Sequence, residues 1–286
     1  MFTRSTILHL RIPFSFFLMP VFLFALAVSS QVDWVRTVVA FIIIHLFLYP
    51  ASNGYNSYFD KDEKSIGGLK FPPEVTKRLY QASLIFDGIA LALGLFIGWE
   101  FALMLAIYGL VSKAYSHPSI RLKKYAIIGW LVTGFFQGAF TFAMSYLAIN
   151  GLGFDGLSSA LWFPALLTSG ILWGSYPMTQ IYQHEEDVKR GDITLSYKLG
   201  IKGTFLFTGG MFAVASAFFF WFFWMNYSQN TAWVFLLSMI PIVGYFNRWF
   251  MQAVMNPMAA DYDHTMRLNF LSALCLNGFF VWLFFQ

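Results

Sequence analysis

The chain has 286 residues, of which 58% are hydrophobic, 21% are aromatic and only 11% are charged. Soluble domains carry about 25% charged residues, so this composition excludes an ordinary soluble domain and indicates an integral membrane protein that resides in a lipid bilayer. The net charge of +4 does not indicate nucleic-acid binding, because the basic residues fall in short loops between apolar segments.

Nine apolar segments have the length of membrane-spanning helices, which need about 20 apolar residues each. They run roughly over 12–30, 34–56, 79–97, 100–116, 126–149, 159–182, 204–226, 231–250 and 265–285. We therefore predict one all-α domain over residues 1–286. It is a bundle of nine transmembrane helices around a central cavity that opens to the cytoplasmic side.

The distribution of basic residues predicts the orientation of this bundle. With the amino terminus in the cytoplasm, all of the 18 Lys and Arg residues except Arg36 fall on the cytoplasmic side. Lys and Arg resist translocation, so we predict a cytoplasmic amino terminus and an external carboxyl terminus. The acidic loops at 60–63 and 185–192 then meet at one cytoplasmic mouth, where two carboxylate sets could hold two Mg²⁺ ions and a diphosphate.

The first acidic loop, Asn53–Lys64, begins where the second apolar segment ends. If the helix continues to Asp60, then Asn53, Asn56 and Asp60 lie at i, i+3 and i+7 and share one face. Carboxamide and carboxylate oxygens suit Mg²⁺, especially when it also binds phosphate. A solvated acidic loop is the alternative interpretation of this stretch taken alone.

The second and third cytoplasmic loops carry further candidates. In Tyr115–Lys124, Arg121 is suited to forked recognition of phosphate oxygens, and its two lysines could add point charges or act only as membrane anchors. In Gln183–Asp192, four acids lie beside Lys189 and Arg190, which are expected to neutralise a bound anion. His184 is expected to be a polar neighbour, because Mg²⁺ prefers oxygen ligands.

Three motifs stand in order on these loops: Asn-x-x-x-Asp at 56–60, Tyr-Ser-x-Pro-x-x-Arg-Leu-Lys at 115–123 and Glu-x-Asp-x-x-x-Gly-x-x-Thr-Leu at 185–195. This arrangement resembles the UbiA superfamily of intramembrane prenyltransferases. The resemblance implies transfer of a prenyl group from an isoprenyl diphosphate to an acceptor, often an aromatic ring, with Mg²⁺ as cofactor.

The resemblance and the loop chemistry together give the expected site residues. The expected catalytic residues are Asn56, Asp60, Arg121 and Asp187. The expected diphosphate contacts are Asn53, Tyr115, Arg121, Lys124, Lys189 and Arg190. The expected metal ligands are Asn56, Asp60, Asp62, Glu63, Gln183, Glu185, Glu186 and Asp187.

Three positions depart from the superfamily pattern. Ser57, Lys64 and Gln183 stand where relatives carry acids. Either Asp62 or Glu63 could compensate for the acid missing at Lys64. These changes leave diphosphate–Mg²⁺ chemistry in place and leave the acceptor open.

Three functions are therefore compared. The first is transfer of the prenyl group to an aromatic or quinone-precursor acceptor. The second is a terpene cyclase on the same scaffold, in which the carbocation closes on its own chain without an acceptor. The third is a transporter or cation-binding membrane protein, which the placement of the acids at one face argues against. Candidate aromatic contacts for a carbocation are Tyr55, Tyr58, Tyr146, Trp173 and Tyr176.

Overall fold

The computed structural model describes residues 3–286, and its secondary structure is helical throughout. In chain order the α-helices are α1 (Arg4–Leu10), α2 (Met19–Ala27), α3 (Trp34–Asp60), α4 (Lys77–Ile97), α5 (Trp99–Ser116), α6 (Ala126–Asn150), α7 (Ser159–Gln180), α8 (His184–Lys189), α9 (Leu195–Asn226), α10 (Gln229–Met255) and α11 (Tyr262–Phe284). Over residues 3–286 the only β-pairings are isolated bridges, so the all-α prediction is confirmed.

Six of the described helices are long and apolar enough to cross a membrane: α3, α4, α6, α9, α10 and α11. A seventh candidate is the pair Arg4–Phe17 and Met19–Ala27, which is bent by 40°. The helices α5 and α7 match predicted segments in position, but α5 carries Glu100 and Lys113, and α7 carries two internal prolines. The count of nine spans and the cytoplasmic opening therefore remain predictions.

The first predicted span is broken by its own sequence. Arg11 adopts a left-handed conformation with φ of 48° and ends α1. A 3₁₀ helix follows over Ile12–Phe17, with Pro13 in its first turn, and Pro20 opens α2. Proline fits the first turn of a helix, whereas in the interior it kinks or breaks the helix, so the chain divides into short pieces where one straight helix was expected.

The long helices pack as a closed bundle. Helix α3 packs on α4, α4 on α5, α6 on α7, α7 on α9, α9 on α10 and α10 on α11, and α11 returns to α2. Buried rings fill the interior: Phe24 stacks on Phe280 with centroids 4.8 Å apart and meets Phe219 at 5.3 Å. Phe24 and Phe219 have no solvent-exposed surface.

Three loops lie together at the end of the bundle where α3 and α7 finish. The loop after α3 is joined to α1 by hydrogen bonds from Ser5 to the Glu74 carbonyl and from His9 to the Pro73 carbonyl, both 2.7 Å. The loop after α5 meets the loop after α8 through a parallel bridge between Tyr125 and Ile193. This end of the molecule therefore holds the first, second and third predicted loops in one place.

Candidate active site

A polar cavity of about 210 Å³ lies between these loops and the ends of α3, α5 and α7. Its charged and carboxamide lining consists of Arg11, Asn53, Asn56, Asp60, Asp62, Lys123, Gln137, Gln180, Gln183, Asp187, Arg190 and Asp192. Residues from both acidic loops thus share one cavity. The two acidic loops therefore meet here, and the cytoplasmic location of this end stays a prediction.

The end of α3 positions the first group of acids. Asn53, Asn56 and Asp60 line the cavity together, as their helical spacing predicts. The helix ends at Asp60 because Lys61 adopts a left-handed conformation with φ of 50°. The chain turns there, and Asp62 lines the cavity as well.

The basic loop after α5 contacts these acids. Arg121 binds Asp192 in a forked arrangement, with Nε 2.7 Å from Oδ1 and a terminal nitrogen 2.8 Å from Oδ2. Arg121 also lies 3.4 Å from Asp60. The Lys123 amino group forms an ion pair with Asp60 and lies 3.4 Å from the Asn56 carboxamide oxygen.

Arg190 joins the acids of the two loops. One terminal nitrogen contacts Asp62 from the first loop, and the other donates to Asp187 at 2.9 Å. Its Nε lies 3.8 Å from Asp192. The site therefore holds four buried carboxylates in ion pairs with Arg121, Lys123 and Arg190, and this charge arrangement can exchange partners with an incoming cation and anion.

Burial changes the acidity of two of these carboxyl groups. Removal from water raises the pKa of Asp187 to about 7, although Arg190 and Lys123 act to lower it. Removal from water also raises the pKa of Asp62, and the nearby Asp60 adds to that increase. A divalent cation close to these carboxyl groups would favour their ionised form.

Several expected site residues lie elsewhere. Glu63 and Lys189 are exposed and do not line the cavity. Glu185 is exposed and forms an ion pair with Lys64 at 2.6 Å. Lys124 places its amino group 4.9 Å from the centroid of the Tyr125 ring and is also outside the cavity lining.

Gln183 and Tyr115 line the cavity, and each is held by a hydrogen bond. The Gln183 side chain donates to the Ser65 carbonyl at 3.1 Å, so it links the two acidic loops. The Tyr115 hydroxyl hydrogen-bonds to that of Tyr176. Of the five aromatic residues considered from the sequence, Tyr176 lies in the lining.

Arg11 lines the cavity and was not predictable as a site residue. Arg11 donates to the Gly67 carbonyl at 3.1 Å and to the Asn53 carbonyl at 3.3 Å. In the sequence it reads as an ordinary basic anchor of the first apolar segment. Asp192 belongs to the third acidic loop, but it occupies a variable position of the motif over 185–195.

The model of the UbiA prenyltransferase family matches residues 16–271. The chain belongs to the UbiA prenyltransferase family. A search of curated proteins gave no significant match.

Solved structures agree with the UbiA fold over nearly the full chain. A UbiA homologue from Archaeoglobus fulgidus has a TM-score of 0.69 and 16% identity, with 99% of this chain and 100% of that chain covered. A UbiA homologue from Archaeoglobus fulgidus bound to GPP and Mg²⁺ has a TM-score of 0.65 and 16% identity at the same coverage. A structure of digeranylgeranylglyceryl phosphate synthase has a TM-score of 0.62 and 18% identity, with 99% of each chain covered.

An apolar cavity of about 180 Å³ adjoins the polar cavity of this UbiA family member. Asn53, Tyr108 and Gln137 line both cavities. The apolar cavity follows α9 from Phe212 to Phe219, and it follows α11 from Leu268 to Phe280. The two ends of these adjoining cavities therefore differ sharply in polarity, with charged groups at the loop end and aromatic rings at the far end.

Proposed function

We propose that the protein is an Mg²⁺-dependent intramembrane prenyltransferase that ionises an isoprenyl diphosphate and transfers the prenyl group to an aromatic or quinone-precursor acceptor. One observation carries this proposal. A charged cavity adjoins an apolar cavity, and the two share the lining residues Asn53, Tyr108 and Gln137. An isoprenyl diphosphate has the same two halves, a charged head and an apolar tail.

The donor atoms at the charged end fit Mg²⁺. Asn56, Asp60, Asp62 and Asp187 supply oxygen ligands to the cavity. Among residues 3–286, no three His, Cys, Asp or Glu side chains are grouped to hold one metal ion. Mg²⁺ does not require such a group, because it is commonly bound by one or two carboxylates together with substrate phosphates and water. The UbiA homologue bound to GPP and Mg²⁺ supports this assignment.

The proposed ligand set is narrower than the sequence indicated. We keep Asn56, Asp60, Asp62 and Asp187, and we leave out the exposed Glu63 and Glu185. Asp62 thus takes the place of the acid that is missing at Lys64. Gln183 faces the cavity, but its amide group is directed to the Ser65 carbonyl.

The basic residues have a second role in the proposed reaction. When bound, Mg²⁺ would neutralise the diphosphate and make it a better leaving group. Lys123 and Arg190 then exchange their carboxylate partners for phosphate oxygens, and Arg121 adds charge near them. Cations placed before the reaction stabilise the negative charge that grows on the departing diphosphate.

The aromatic lining suits the other half of the ionised donor. Tyr108 and Tyr176 line the junction between the two cavities, where the reacting carbon of the donor would lie. Their ring faces can stabilise a carbocation. The apolar walls beyond them limit the access of water, which would otherwise capture the cation.

Incubation of the purified protein with geranyl, farnesyl and geranylgeranyl diphosphates and Mg²⁺, with and without aromatic acceptors, tests the proposed function. A prenylated acceptor is the expected result. A cyclic hydrocarbon formed without acceptor would instead select the cyclase. No diphosphate release with any donor would contradict both reactions and return attention to the transporter alternative, which membership of a prenyltransferase family does not favour.

We expect the far end of the apolar cavity to set the preferred chain length of the prenyl donor. Phe219 and Phe280 line the cavity and pack against the fully buried Phe24. Phe280→Ala should open space beyond this end and raise the preference for geranylgeranyl over farnesyl diphosphate about 10-fold or more, because single methylene groups already change binding by that amount. The ratio of the two kcat/KM values measures this change.

Phe205→Ala provides the matched control for donor length. Phe205 is equally buried, at 1% exposure against 2% for Phe280, but it packs on Phe246, Trp249 and Phe250 and is not part of the cavity lining. It should lose comparable stability and leave the ratio unchanged. An equal shift in both variants would show that loosened packing, and not the end of the cavity, sets the preference.

A further inference from the structure

Glu186 is a buried acid that lies between two very different neighbours in α8. Glu185 is exposed, Asp187 lines the cavity, and Glu186 is only 9% exposed without lining the cavity. Its Oε1 accepts hydrogen bonds from two consecutive backbone N–H groups, at 3.2 Å from Glu63 and 2.8 Å from Lys64. These contacts join α8 to the loop that follows α3.

A carboxylate is costly to bury unless hydrogen bonds compensate for its lost hydration. Hydrogen bonds from backbone N–H groups to a charged oxygen are among the stronger ones in proteins. The side chains of Glu63 and Lys64 are exposed, so no burial of their own fixes the course of the chain there. The Glu186 carboxylate therefore fixes the backbone at Glu63 and Lys64, whose own side chains face solvent.

This fixed backbone lies directly after Asp62. On one side of Asp62 the helix has ended and Lys61 has turned the chain. On the other side the next two backbone N–H groups are held by Glu186. With both flanks fixed, the Asp62 side chain is directed into the cavity, where Arg190 contacts it.

We propose that Glu186 is a positioning residue, and not a metal ligand, which holds the backbone at Glu63 and Lys64 so that Asp62 faces the diphosphate site. The inference rests on the proposed function and identifies how this chain compensates for the missing acid at Lys64. The residue that stands there contributes its backbone to Glu186 and its side chain to Glu185.

A positioning role and a metal-ligand role for Glu186 predict opposite results for substitutions that separate the charge of the side chain from its length. Glu186→Gln removes the charge but keeps an oxygen at the same reach, so it should hold the two N–H groups. Glu186→Asp keeps the charge but is one methylene shorter, so it should release them, as Glu186→Ala does. Glu185→Ala, which removes the exposed acid one position earlier, is the matched control.

The first measurement is hydrogen exchange at the Glu63 and Lys64 amides in detergent, with no metal and no substrate. The Ala and Asp variants should exchange at least about 10-fold faster than wild type at these amides, whereas the Gln and Glu185→Ala variants should not. Unchanged protection in the Ala and Asp variants would overturn the proposal. This measurement tests the hydrogen bonds between Glu186 and the two amides even if the wild-type protein releases no diphosphate.

The second measurement is the Mg²⁺ concentration that gives half-maximal diphosphate release. Loss of a group that orients a metal ligand costs about 10- to 100-fold in metal affinity. The Ala and Asp variants should need that much more Mg²⁺, while the Gln variant should stay within about threefold of wild type. A Gln variant with protected amides and a large rise in required Mg²⁺ would instead identify Glu186 as a ligand. The Asp variant keeps the comparison available if the Ala variant does not fold.

Discussion

Asp60→Asn is expected to lower diphosphate release by about 100- to 1000-fold, the range seen when one preorganised electrostatic group is removed from an active site. Asp60 ends α3 and faces the cavity beside Asn56. Lys123 forms an ion pair with it, and Arg121 lies 3.4 Å away. The asparagine keeps the shape and one oxygen but removes the charge that would bind Mg²⁺, so the change isolates electrostatics from packing.

The measurement is release of diphosphate from an isoprenyl diphosphate by purified protein over a range of Mg²⁺ concentrations. Asp263→Asn is the matched control, because Asp263 also carries an ion pair, with Lys70 at 2.5 Å, but its side chain is 47% exposed. Exposed ion pairs contribute little to stability, and this one lies outside the cavity, so turnover should change less than about twofold. Full turnover in Asp60→Asn would remove Asp60 from the proposed site.

Asp187→Ala should reduce release as strongly, since its carboxylate lines the same cavity from the other loop. A loss in both variants, without a loss in Asp263→Asn, would place the reaction between the two acidic loops. A loss in only one of them would separate the cluster into a catalytic half and a structural half.

The long apolar helices were predictable from sequence because a span of the bilayer imposes length and composition on them. Their boundaries were less so. The helix expected over 204–226 begins at Leu195 and contains a break at Gly200, whose φ is 66°. Lys198 and Lys202 lower the apolar content on both sides of this break, so hydropathy alone does not register the first turns as helix.

Some residues of the site were likewise predictable from sequence, and others were not. Asn53, Asn56 and Asp60 were predictable as a group, because a helix fixes the directions of side chains at i, i+3 and i+7. The choice between Asp62 and Glu63 was not, since it depends on the left-handed turn at Lys61 and on hydrogen bonds to Glu186. Loop directions set by contacts from distant segments leave no periodic signal in sequence.

The second large effect on diphosphate release is expected at one of the two consecutive lysines of the basic loop, Lys123 and Lys124. The sequence assigned Lys124 to the diphosphate, whereas the structure places Lys123 in the cavity lining at 8% exposure. Arg121 adopts a left-handed conformation with φ of 48°, and a 3₁₀ turn over Leu122–Lys124 follows. Adjacent residues in such a turn point in different directions, so only one of two consecutive lysines is directed to Asp60.

Lys123→Met is therefore expected to lower diphosphate release about 100-fold, and Lys124→Met should remain within about threefold of wild type. Methionine keeps the length and apolar stem of lysine, so both variants preserve packing. Removal of the Lys123 charge leaves Asp60 with one weaker contact, from Arg121 at 3.4 Å, and it withdraws a cation from the place where the leaving diphosphate gains charge.

The comparison is informative because both variants remove one positive charge from the same loop. A general loss of attraction for the anionic donor would affect them equally and would fall with added salt. A specific contact affects Lys123 alone and resists salt, since a buried pair is screened much less than an exposed one. A larger loss in Lys124→Met would contradict the geometry of the loop and restore the assignment made from the sequence motif.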